Sequence, residues 1–147
     1  MSTTVNFTTV TNSIESLSIT GVTVADVDEI SSAISLGTAV LVPRPDDFIT
    51  GLTIIPAEIS AQNLDLSYDL NYTYYHCPIG ARLVDVYSAM IANIALIVKA
   101  FAQNETLTGA MDNGLPTISH IGPVQDPAGN VYHGCDISIH VLQFLEV

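Results

Sequence analysis

The sequence predicts an α+β fold in a single domain spanning residues 1–147, an antiparallel β-sheet with two helices packed on one face. Three observations carry that prediction. Between residues 64 and 76, Leu64, Leu66, Tyr68, Leu70, Tyr72 and Tyr74 alternate with Asp65, Ser67, Asp69, Asn71 and Thr73. A period of two marks a strand with one buried and one wet face. Immediately afterwards the spacing becomes helical: over residues 82–103, Leu83, Val86, Tyr87, Met90, Ile94, Ile97 and Phe101 share one stripe. Near the C-terminus the period returns to two, with Cys135, Ile137, Ile139 and Val141 alternating with Asp136, Ser138 and His140. Residues 131–147 therefore read as a closing strand.

In chain order, residues 5–19 place Val5, Phe7, Val10, Ile14 and Leu17 at steps close to three and four, which predicts an amphipathic helix ended by Gly21. Residues 22–27 turn to β-type composition, and Asp26, Asp28 and Glu29 form an exposed acidic corner. Residues 38–42, Thr-Ala-Val-Leu-Val, predict a short buried strand that stops at Pro43. Pro43, Arg44, Pro45, Asp46 and Asp47 must be a loop, because two prolines fix φ and remove backbone donors. With Phe48 as an aromatic anchor, this stiff segment is the candidate docking loop.

The long strand ends at Pro78 and Gly80. The helix that follows carries Val84, Ile91, Leu96 and Val98 outside its main stripe, so it should be covered on more than one side. Residues 115–124 are β-like but interrupted, and Asp126-Pro127-Ala128-Gly129-Asn130 supplies a tight reversal before the last strand.

The chain is 48% apolar and only 12% charged, against roughly 25% charged in an average globular protein. Much of its surface must be neutral or apolar, which favours subunits that cover one another. The apolar stretch at residues 90–101 reads as too short to cross a bilayer and contains Asn93 and Lys99. No basic residue precedes an apolar run at the N-terminus, so no signal peptide is expected.

Fifteen acids against Arg44, Arg82 and Lys99 give a formal net charge of −12. Gripping DNA by its phosphates needs clustered Lys and Arg, so tight nucleic-acid binding is not expected. A weakly repelling surface past which DNA slides is compatible with this charge.

No nucleophile elbow, phosphate-binding glycine pattern or calcium loop occurs. His76, Cys77, His133 and Cys135 could be imagined as zinc ligands, but the short spacings of structural zinc sites are missing. His76 and Cys77, adjacent on a strand, should point to opposite faces and so form no dyad. No catalytic, metal or cofactor-binding residue is expected, and the two cysteines are read as free thiols. Tyr68, Tyr72 and Tyr74 lie with the leucines, while Tyr75 falls on the polar face and is the candidate interface residue.

The order of an N-terminal helix, the Val22-x-Val-Ala-Asp-Val-Asp-Glu29 corner, the Val40-Leu-Val-Pro-Arg-Pro-Asp-Asp-Phe-Ile-Thr50 segment, one long alternating strand, one long helix and the Tyr132-x-Gly-x-Asp-Ile-x-Ile-x-Val141 strand resembles the tail terminator and related head-to-tail neck proteins of tailed bacteriophages. The likeness is one of pattern and length over nearly the whole chain. It implies a small α+β subunit of a homo-hexameric ring that ends the tail tube and surrounds the DNA channel. It also implies neighbouring tail-tube and connector proteins as partners, double-stranded DNA passing without tight binding, and assembly into the virion in the host cytoplasm. No cofactor, membrane or small-molecule substrate is implied. A different neck component, a connector or stopper, fits the same pattern, and a small enzyme or ligand-binding module with an atypical site is the alternative from another class.

Overall fold

The computed structural model describes residues 5–56, 63–80, 82–104 and 116–146. Among them run α1 (Phe7–Glu15), β1 (Val22–Val24), a 3₁₀ turn (Val27–Glu29), α2 (Ile30–Ser35), β2 (Ala39–Pro43), β3 (Ile49–Pro56), β4 (Asn63–Pro78), α3 (Leu83–Gln103), β5 (Pro116–Gln125) and β6 (Val131–Glu146). The six strands form one mostly antiparallel sheet in the order β1-β2-β4-β6-β5, with β3 also paired to β4.

β4 and β6, sixteen residues each, pair from Asn63 opposite Glu146 to Pro78 opposite Tyr132. Their alternation sorts the molecule into two faces. Leu66, Tyr68, Leu70, Tyr72 and Tyr74 join Cys135, Ile137, Ile139 and Val141 in the main core, against Val10 and Ile14 of α1 and Met90, Ile94, Ile97 and Phe101 of α3. The α+β class and the two helices on one face are as expected from the sequence.

The sequence reading missed two elements. α2 has only six residues, too few for a helical period to register. Its Ile30 is buried with Val40, Val42, Tyr75 and Tyr132 in a second cluster, separate from the main core. β1 and β2 are parallel neighbours joined through this helix, a crossover that parallel pairing requires. β3 has no counterpart in the sequence pattern. Its side chains are exposed throughout, so it lacks the alternation that identifies a half-buried strand.

β2 pairs with Tyr72–Tyr75 and β3 with Leu64–Leu70, both antiparallel to β4. They lie end to end along one side of β4, and residues 44–48 are an excursion from that line. The other expected elements appear with shifted ends: α1 is shorter than residues 5–19 because it stops at Glu15, well before Gly21. Residues 115 and 147 of the predicted strands lie outside the described residues.

Glycine at 134 is required by the sheet. A Cβ built there would overlap the backbone carbonyl oxygen of Tyr74 and crowd Val124 at 2.8 Å. Gly134→Ala should therefore force β4 and β6 apart at the centre of the fold. We expect loss of soluble, cooperatively unfolding protein; a variant melting within a few degrees of wild type would show that the strands can shift to admit the methyl group.

Candidate functional site

The candidate docking loop is built around one asparagine. The backbone N–H of Arg44 donates to the Asn71 carbonyl at 3.0 Å, and the Asn71 N–H donates to the Phe48 carbonyl at 2.9 Å. The Asn71 side-chain amide donates to the Asp47 carbonyl at 2.9 Å and to Thr50 Oγ1 at 3.0 Å. Its Oδ1 accepts from Ser138 on β6 at 2.9 Å. Asn71 thus closes both ends of the loop and ties it to the centre of the sheet.

Phe48 is half-buried, packed edge-on against Tyr72 with ring centroids 5.5 Å apart and near Phe7 at 6.1 Å. The ring belongs to the subunit's own core and is not a free anchor. Only Pro45 and Asp46 are fully exposed among residues 43–48. Tyr75 also departs from expectation: it is 4% exposed, covered by α2 and stacked edge-on against Tyr132. Tyr75 does lie on the face opposite the main core, but α2, invisible in the sequence pattern, covers that corner of the sheet and leaves the phenol no free surface.

The loop borders a cleft of about 410 Å³ lined by Arg44, Asp46, Thr73, Tyr75, Asp126 and Asp136 among others. Arg44 is the cleft's only guanidinium, and it is engaged by Asp47 at 2.8 Å and Asp136 at 3.5 Å. Asp126 accepts from the backbone and side chain of Asn130 at 2.8 and 3.3 Å, which organises the β5–β6 turn. Burial, then Asp126, raises the Tyr75 phenol above its ordinary value, so it stays protonated. Arg44 and Asp126 thus serve the loop and the turn.

Beneath the start of α3 lies the other polar cluster. The β4–β6 register shifts between Tyr75 and Cys77, so His76 and Cys77 sit together at a bulge and line one shallow cleft with Asn93. The expectation that adjacency would separate them fails at this bulge. Asn93 Nδ2 donates to the Tyr74 hydroxyl at 3.0 Å, and the same hydroxyl lies 2.7 Å from His76 Nδ1, where its proton can be donated. That direction of donation suits a neutral imidazole.

Burial, with a smaller contribution from His133, lowers the His76 pKa. Burial raises Cys77 and pushes Cys135 up to about 12. A nucleophilic Cys–His pair needs the opposite, a thiolate stabilised at neutral pH. Both cysteines are free thiols. His133 is 4% exposed and meets Tyr87 of α3 at 3.5 Å.

Among the described residues, the cluster whose carboxylates approach within 4.8 Å of one another is Asp26, Asp28 and Glu29, all exposed. The Glu29 carboxylate accepts from the Asp26 N–H at 3.1 Å, a capping box on the 3₁₀ turn that leads into α2. The acidic corner therefore has a local structural role.

Two surfaces remain uncovered among the described residues. β3 exposes Ile49, Leu52, Ile54 and Ile55 at 43–59% and carries no charge. Around α3, Val84, Ile91 and Leu96 are 38–71% exposed on the side away from the core, and Leu83 is 59% exposed at the first turn of the core-facing stripe. The expectation that this helix is covered on more than one side therefore fails within the subunit. Its 21 residues are also long and apolar enough to cross a membrane, so length does not separate it from a span as the shorter stretch at 90–101 implied. Met90, Ile97 and Phe101, fully buried, form its contact with the core.

Two outcomes follow from this geometry. Phe48→Ser removes a half-buried ring and should cost about 1–3 kcal/mol of stability, measurable by denaturant unfolding; an unchanged midpoint would mean the ring is not held by Phe7 and Tyr72. For His76, the unfolded chain binds a proton near pH 6.5 and the folded chain only at lower pH. Stability should be unaffected by this group above pH 6.5 and fall as pH drops through the window below it. The loss of melting temperature between pH 7.5 and 5.5 should be smaller in His76→Gln, and an equal loss would assign the effect elsewhere.

No protein-family model matches this chain, and no curated protein is detectably similar to it.

Proposed function

We propose that the chain is a structural subunit that assembles with copies of itself into a closed ring at the head–tail junction of a tailed phage, ending the tail tube and surrounding the DNA passage. The observation that carries the assembly reading is β3, eight residues that are exposed along their whole length and bear no charge. An uncharged, β-branched strand at a sheet border is a liability for a monomer unless another surface covers it. The outer side of α3 makes the same demand.

The site geometry supports assembly over catalysis. The polar clusters are used to close a loop, cap a turn and seat a helix, and the thiols are held in their unreactive form. The sheet face opposite α1 and α3 carries Asp65, Asp69 and Asp136 beside Ser67, Asn71, Ser138 and His140. An acid-bearing face rich in hydroxyl and amide groups suits the wall of a passage through which a duplex moves without sticking. The placement at the phage neck comes from the sequence resemblance alone.

Light scattering on the purified chain and six-fold features in images of particles containing it are the expected results. A protein that is monomeric both free and within purified particles would overturn the reading.

A further inference from the structure

The polar cluster beneath the start of α3 is a chain of hydrogen bonds whose direction depends on one ring nitrogen. Tyr74 is 0% exposed, so its hydroxyl proton has to find an acceptor inside the protein. The amide nitrogen of Asn93 can only donate, and it does so to the phenol oxygen at 3.0 Å. The acceptor beside the hydroxyl among the described residues is His76 Nδ1, at 2.7 Å. While that nitrogen is unprotonated, donation runs from Asn93 to Tyr74 to His76.

A proton on Nδ1 makes the nitrogen a donor. The Tyr74 proton then loses its acceptor, whether the imidazolium stays beside the phenol or swings towards solvent. Tyr74 cannot follow, because its ring belongs to the main core. The atom placed to replace the acceptor is Asn93 Oδ1, on the same amide that already touches the phenol. A half-turn of the amide plane puts the oxygen where the nitrogen stood. Among the described residues only Tyr74 holds that amide, so the turn breaks no other hydrogen bond.

No carboxylate or basic side chain in the cluster fixes the state of the ring in advance. The other titratable groups around it are Cys77 on β4, His133 and Cys135 on β6 and Tyr87 on α3. Arg82 and Asp85, at the start of α3, are exposed, and Asp136 lies on the open face of the sheet beside Thr73. Gly21, Ile34, Gly37 and Ala39 form the uncharged far wall of the adjoining cleft. Burial, then His133, disfavours a charge on His76, so the ring takes its proton below its ordinary value of 6.5.

We propose that His76, Tyr74 and Asn93 form a pH-operated relay, in which a proton at His76 Nδ1 reverses the direction of donation and turns the Asn93 amide. One proton enters from solvent at Nδ1, and Tyr74 keeps its own, directing it to Asn93 Oδ1. The amide NH2 is then free on a side chain that lines a cleft of about 330 Å³. The part of that cleft contributed by α3 thus offers an oxygen at neutral pH and a nitrogen donor in acid. The helix stays seated throughout, because its buried row of Val86, Met90, Ile97 and Phe101 takes no part.

The test is a titration of the full-length protein between pH 7.5 and 5, following the His76 ring and the Asn93 side-chain NH2 by NMR. The Asn93 signals should shift with the midpoint of the His76 ring, and the nuclear Overhauser contacts from that NH2 to the Tyr74 ring should be present above the midpoint and lost below it. In Tyr74→Phe, which keeps the ring and removes the hydroxyl, His76 should still titrate and Asn93 should no longer follow it. The wild-type contacts decide the matter by themselves if Tyr74→Phe does not fold. Asn93 signals that ignore the His76 midpoint, contacts to Tyr74 that persist below it, or an Asn93 that still follows His76 in folded Tyr74→Phe would each overturn the relay.

Discussion

The pairing of β4 with β6 is the constraint from which the rest of the subunit follows. The two strands run antiparallel over sixteen residues each, and along residues 64–74 and 135–141 their alternation commits one face to tyrosine, leucine and isoleucine and the other largely to acids, hydroxyls and amides. A slip by one residue would exchange those faces. Everything attached to the pair respects the division: α1 and α3 cover the apolar face, α2 covers only one corner of the other, and β2 with β3 line one side of β4. Gly134 is the point where this pairing is tightest, since no side chain fits against the Tyr74 carbonyl.

That spine also explains which parts of the fold were legible in the sequence. Long periodic segments announce themselves, so β4, α3 and β6 could be read from Leu64–Tyr74, the Leu83–Phe101 stripe and Cys135–Val141. Short or uniformly exposed elements do not. α2 is six residues long, and β3 shows apolar residues on both faces because neither face is buried in the subunit. Missing α2 had a direct consequence at Tyr75, whose place on the nominally polar face was read as exposure. The phenol is in fact buried beneath the helix the pattern could not show.

The candidate loop illustrates a different limit. Two prolines and two aspartates correctly marked residues 43–47 as irregular, but nothing local reveals that Asn71, more than twenty residues later, holds both ends. The hydrogen bonds from its backbone and side chain to Arg44, Asp47, Phe48 and Thr50 depend on the β2-β4-β3 arrangement. Likewise the bulge that brings His76 and Cys77 together breaks an alternation argument valid everywhere else along the strand. Sequence periodicity reports the ladder and is silent about its interruptions, which are where side chains gather.

The shortage of charge has the widest reach. A subunit with a normal share of charged residues could cover β3 and the outer side of α3 with lysine and glutamate, the usual protection of sheet borders. Here the strand has no charge at all, and α3 bears only Asp85 and Lys99 as charges among its exposed side chains, with Arg82 just before its first turn. The acids that give the chain its net charge lie outside that strand, among them Asp65, Asp69 and Asp136 on the open sheet face. A net charge of −12 sets copies of the chain against one another at long range, so any association between them has to run through surfaces that bear little charge, as β3 does.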